Sequence, residues 1–120
     1  MDVLKLASSI EGAATGSDYL DYAIQRLFGL KKPIPAYTSS LDAAMLLVPE
    51  PWSIHRLAHG HNGQGRLAGW AVELYRPDEV MIDASASARA VTAPLAICAA
   101  ALRALAISGA AAPALAREAG

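Results

Sequence analysis

Residues 67–74 read LAGWAVEL, with Arg66 before them and Tyr75 after. Side chains alternate across a strand. Ala68, Trp70, Val72 and Leu74 therefore share one side, and Leu67, Gly69 and Ala71 the other. Both sides are apolar or small, so both should be shielded, and the smaller side would let a helix backbone approach closely. The stretch predicts a sheet with helices over both faces.

Working outward, residues 60–65 (GHNGQG) form a glycine-punctuated turn, and residues 52–58 read as a strand, which makes a hairpin. On the other side Arg76-Pro77-Asp78 is a turn. Residues 79 to about 90 then hold a third strand with Val80 and Ile82 on one side. Thr92 caps a last helix, and Pro94 sits in its first turn, where a missing amide costs nothing. Leu95, Cys98, Leu102 and Leu105 recur at helical spacing. They make a face for docking on the sheet, or less often a dimer seam, and Gly109 closes the helix.

Towards the start, Val3, Leu6, Ala7 and Ile10 repeat with helical period until Gly12, Thr15 and Gly16 interrupt. Ser17 or Asp18 caps a second segment whose apolar face is Leu20, Ile24, Leu27 and Phe28, and Gly29 ends it. This predicts two short helices or one broken one. Residues 30–37 carry Pro33 and Pro35 and run extended. Ser39 then caps a short helix, with Asp42 in a capping-box-like position. Leu41, Met45 and Val48 face inward, and Pro49 stops it.

The predicted class is α+β: an antiparallel sheet of three to four strands covered by helices on both faces, an α/β/α sandwich. Residues 1–109 form one domain, and residues 110–120 are a frayed alanine- and proline-rich tail. The 120 residues suit a single domain. A hydrophobic content of 54% excludes wholesale disorder. Much of it is alanine, with one Phe and two Trp, so the core must be thin and closely packed. Net charge is −1, which gives no general basic surface for nucleic acid. One cysteine, Cys98, forbids an intrachain disulfide and fits a reducing compartment. The first residues lack the basic start and apolar run of a signal peptide. The longest apolar stretch, residues 93–106, contains Arg103 and is too short to span a bilayer. These features point to the cytoplasm, with no membrane partner.

Three stretches carry a resemblance to a known family: AATGSDYLDYAIQRLFG (13–29), PAYTSSLDAAMLLVPEPWSI (35–54) and TAPLAICAAALRALA (92–106). In order and spacing they resemble the phage ABA sandwich domain, a family of short phage and prophage proteins. In its members a helix, a YTSSLDAA…LVPE…W segment, a β-hairpin and an alanine-rich helix follow one another. The resemblance runs over roughly residues 3 to 107, and its middle segment is the most specific. The chain departs from the pattern in its long, histidine-bearing hairpin turn and its serine- and alanine-rich third strand. The resemblance implies the fold and a phage origin; the family brings no catalytic residues to carry over, and fold alone does not imply function.

Several residue groups bear chemistry. His55, His59 and His61 lie within seven residues, and imidazole binds zinc, nickel or copper. They share a side of the strand only until Gly60 bends it, and no cysteine or second histidine cluster completes a tetrahedral set; Glu73 or Glu79 could add a carboxylate. The plainer reading is a polar hairpin tip. Thr38, Ser39, Ser40 and Asp42 contain hydrolase ingredients, but no nucleophile elbow is present and the serines serve as helix caps. Gly60, Gly63 and Gly65 precede a strand, where a phosphate loop would need a helix. Cys98 on an apolar helix face reads as a core thiol.

Arg56, Arg66, Arg76 and Arg89 lie on or beside the strands, with Trp52, Trp70 and Tyr75 among them. Guanidinium and aromatic groups together grip nucleotides by phosphate pairing and stacking. The candidate ligand set is Trp52, Arg56, Arg66, Tyr75 and Arg89. Against it stands the reading of Trp70 as core and the arginines as solvated strand ends.

The leading expectation is a non-enzymatic phage accessory protein, acting stoichiometrically on a host protein or a small nucleotide-like ligand, with anti-defence activity as one form. A nucleic-acid-binding module of αβββα order is the alternative, weakened by the uncharged start of the last helix (Thr92-Ala93-Pro94-Leu95). A small metal-dependent hydrolase on His55, His59 and His61 is the second. No cofactor is expected. A thin core favours self-association, and the reading leans to a homodimer.

Overall fold

The computed structural model describes residues 3–27, 34–49, 52–61, 67–76 and 84–108. Among these residues four helices and three strands follow in the order α1 (Val3–Glu11), α2 (Asp18–Leu27), α3 (Leu41–Met45), β1 (Ser53–His61), β2 (Leu67–Arg76), β3 (Ala84–Ala90) and α4 (Ala93–Ser108). The strands form one antiparallel sheet in the order β1-β2-β3.

The sheet has two unlike sides. Val72 and Leu74 are buried, as are Ala88 and Ala86 opposite them and Ala90 opposite Trp70. α4 packs on this side against β2 and β3, with α1 and α3 along its flanks. From Leu95 to Leu102 every residue of α4 is buried, as suits a helix apolar all round. Its many alanines bring its axis close to a strand that is itself alanine-rich. No side of that stretch is left over for a dimer seam.

The α+β class and the antiparallel sheet are as expected; the cover over both faces is not seen among the described residues. On the second side Ser85, Ser87 and Arg89 are exposed, and Ala71, Glu73 and Tyr75 are half-buried. The reason lies in the register. Ala71 looks apolar within β2, but it pairs with Arg89, and Glu73 pairs with Arg56 and Ser87. One strand read alone does not reveal what stands beside it.

Local signals act much as read, with one shift of phase. Ser17 caps α2, accepting from Leu20 N at 3.2 Å, and Thr92 caps α4, accepting from Leu95 N at 3.4 Å. At α3 the cap is Ser40, which accepts from Ala43 N, and not Ser39. Moving the start by one residue turns the helix by about 100°. Ala44 and Leu47 therefore go inward, while Leu41 and Met45 are exposed. Phe28, Gly29, Pro33, Val80, Ile82, Gly109 and the tail at 110–120 lie outside the described residues.

A polar staple ties α2 to the segment before α3. Thr38 N and Thr38 Oγ1 both donate to Asp21 Oδ1, at 2.8 and 2.6 Å. Ser17 N donates to Thr38 Oγ1, and the Tyr37 hydroxyl donates to Gln25 Oε1 at 2.7 Å. Asp21, Gln25, Tyr37 and Thr38 are all buried. Gly16 makes the approach possible: a Cβ there would stand 2.1 Å from the Thr38 carbonyl oxygen.

Candidate functional site

The second side of the sheet holds a hollow of about 560 Å³, within the roughly 300–1,000 Å³ of ligand sites. Its floor is small: Ala58, Ala71 and Ser87, with Gly69 at one end. Gly69 has φ +91°, and a Cβ there would meet the Ala90 carbonyl oxygen at 2.5 Å. Glycine at this point is what lets β3 close on β2.

Three charged side chains stand around the floor, one from each strand: Arg56, Glu73 and Arg89. Arg56 faces Glu73 across β1 and β2, and Arg89 faces Ala71 across β3 and β2. The arginines thus lie on a diagonal. Strand spacing and rise put their Cα atoms roughly 12 Å apart. Both are exposed, and among the described residues neither guanidinium has an ion-pair partner.

The rim beyond β3 is a bidentate pair. Arg103 of α4 donates to both carboxylate oxygens of Glu11, which ends α1. Arg103 Nη1 also donates to the Ser87 carbonyl oxygen at 2.9 Å, and Arg89 N donates to Glu11 Oε2 at 2.9 Å. The guanidinium holds the Glu11 carboxyl below its usual value of 4.5. Reciprocally, Glu11 raises the pKa of Arg103.

The candidate ligand residues divide. Arg56 and Arg89 reach the same hollow. Tyr75 belongs to the same side, paired with Ser53 and Ser85, and its ring lies 5.7 Å from that of His55. Trp52 is only 5% exposed and packs in the core, with Arg76 over its ring. It therefore has no open face for a base. Arg66 lies outside the described residues. Glu11, Glu73 and Arg103 complete the site without having been among its predicted ligands. Glu11 and Arg103 meet across 92 positions of sequence, so no local pattern could pair them.

The histidines are separated. A bulge between Ile54 and Arg56 shifts the register. His55 stands by Tyr75, whereas His59 stacks on Trp70 with centroids 4.5 Å apart. The side chain of His61 lies outside the described residues. Among the described residues no group of three His, Cys, Asp or Glu is placed to hold a metal ion.

Cys98 is wholly buried and its thiol donates to the Tyr37 carbonyl oxygen. Burial raises its pKa well above the ordinary thiol value, leaving little thiolate for chemistry. Burial also pushes the Tyr37 hydroxyl up to about 12, so it remains a donor to Gln25. Among the described residues no helix is long and apolar enough to cross a membrane.

Compared with family models, curated proteins and solved structures, the chain matches none.

Proposed function

We propose that this protein acts by stoichiometric binding, and that the open side of its sheet takes a small phosphate-bearing ligand of nucleotide type. One observation carries the reading. Arg56 and Arg89 face a single hollow from opposite corners, each without an ion-pair partner among the described residues, over a floor of Ala58, Ala71 and Ser87. Guanidinium forks match phosphate oxygens, and a floor of small side chains leaves room for a sugar or a base. A stacking partner on this side would be Tyr75 or His55, in place of the buried Trp52.

The resemblance of residues 13–29, 35–54 and 92–106 to phage ABA sandwich proteins gives this reading a setting. The protein would be a prophage accessory factor that sequesters a nucleotide signal in the bacterial cytoplasm. Calorimetric titration with a panel of cyclic and ADP-ribose-type nucleotides tests it. One member should bind with 1:1 stoichiometry, and Arg56→Ala or Arg89→Ala should weaken it at least tenfold without lowering thermal stability. A panel that gives no heat, or binding indifferent to both substitutions, overturns the reading.

A further inference from the structure

An edge strand presents a row of unpaired N–H and C=O groups to any other strand. β3 is such an edge, because among the described residues the sheet ends with it. Its outward groups are those of alternate residues: the Arg89 N–H and the Ser87 carbonyl both point away from β2 and find side chains. A neighbouring strand would offer a carbonyl to the first and an amide to the second. Glu11 offers a carboxylate oxygen to Arg89 N, and Arg103 offers a guanidinium N–H to Ser87 O. The bidentate bond between Glu11 and Arg103 holds both in place.

We infer that the Glu11–Arg103 pair stands in for a fourth strand, and that the surface it withholds fits β3 of a second copy of this chain. The identity of the occupant follows from β3 itself. Ser85, Ser87 and Arg89 share the outward phase. The antiparallel pairing about a two-fold axis that engages all three residues on each copy centres on Ser87 and sets it against Ser87 of the other copy. Arg89 then falls opposite Ser85, so the strand pairs with itself without opposing like charges. The segment Ala84–Ala90 (ASASARA) contains no proline and, apart from Arg89, only alanine and serine side chains.

The roles of donor and acceptor separate this inference from an ordinary ion pair. The exchange E11R/R103E keeps opposite charges at the two positions. Arginine at 11 cannot accept from Arg89 N, and glutamate at 103 cannot donate to Ser87 O. Light-scattering mass is measured for the wild type, E11R/R103E and E11Q, each also carrying S87C for oxidative cross-linking. The Cα separation of about 5.5 Å in a hydrogen-bonded antiparallel pair lies within disulfide reach, and the buried Cys98 stays silent. The exchanged protein should show twice the wild-type mass and cross-link through position 87. E11Q, whose amide oxygen still accepts from Arg89 N, should keep the wild-type mass and remain uncross-linked. If the exchanged chain does not fold by circular dichroism, E11A frees the Arg89 N–H alone and is compared in its place. A folded exchange or E11A variant that keeps the wild-type mass overturns the inference. So does equal cross-linking in the otherwise wild-type chain.

Discussion

α4 and α2 are held to the same body by different means. α4 is buried from Leu95 to Leu102 and is gripped through apolar contact on every side. α2 buries only Leu20 and Ile24 among its apolar side chains, with Asp21 and Gln25 beside them, and is fastened through hydrogen bonds to Tyr37 and Thr38. Apolar burial is spread over many atoms and has no direction. A buried hydrogen bond depends on two atoms, and losing one leaves the other unsatisfied. One helix should therefore respond to volume, the other to the identity of single polar atoms.

Denaturant unfolding can test the contrast. Leu102→Ala removes a wholly buried side chain and should cost about 2–5 kcal/mol. Asp21→Ala takes the acceptor from Thr38 N, at about 1–3 kcal/mol, and leaves Thr38 Oγ1 only its longer bond to the Ser17 carbonyl oxygen. Asp21→Asn keeps an acceptor oxygen and should cost clearly less; equal losses would mean that charge, not hydrogen bonding, fastens α2. Gly16→Ala acts on the same staple from the other side. Combined with Asp21→Ala it should cost less than the sum of the two, as neighbours sharing partners do. Tyr37→Phe removes one donor to Gln25, for about 1 kcal/mol.

The smallest effect belongs to the pair that joins α1 to α4. Because Arg103 depresses the Glu11 pKa, the carboxylate's contribution is complete above its unfolded value of 4.5 and fades as pH falls through the lower folded value. Both side chains are about a quarter exposed, so solvent screens the gain. Unfolding curves of wild type and E11Q should differ modestly at pH 7 and converge towards pH 3. Curves that stay parallel to pH 3 would assign the difference to something other than this carboxylate.

What could be read in the sequence was whatever a single segment determines. The alternation of residues 67–74 located β2, the Leu95, Cys98, Leu102 and Leu105 spacing located α4, and Ser17 and Thr92 marked helix starts. The relation between segments was not legible. Whether Ala71 faces oil or water depends on Arg89 and Arg56, which belong to other strands. The order of α3 depends on a choice between Ser39 and Ser40 that both residue types permit. Of the expected ligand set, Arg56 and Arg89 line one hollow, a juxtaposition that neither strand states by itself. Trp52 was misplaced because an aromatic ring suits a core as well as a binding face. Glu11 and Arg103 meet only after the whole chain has folded.

The irregularity at His55 has a consequence of its own. Strand β1 is counted in two frames that meet there. Downstream of it Leu57 faces the oily side with Val72; upstream, Ile54 does so with Leu74, although simple alternation would have set Ile54 and Leu57 on opposite sides. His55 is thus the extra residue of a bulge, the one position of this stretch without a partner on β2. Exchanging it for another residue leaves the bulge in place, while excising it would leave Ile54 and Leu57 two positions apart, so that plain alternation alone would keep both on the oily side and Ser53 on the other.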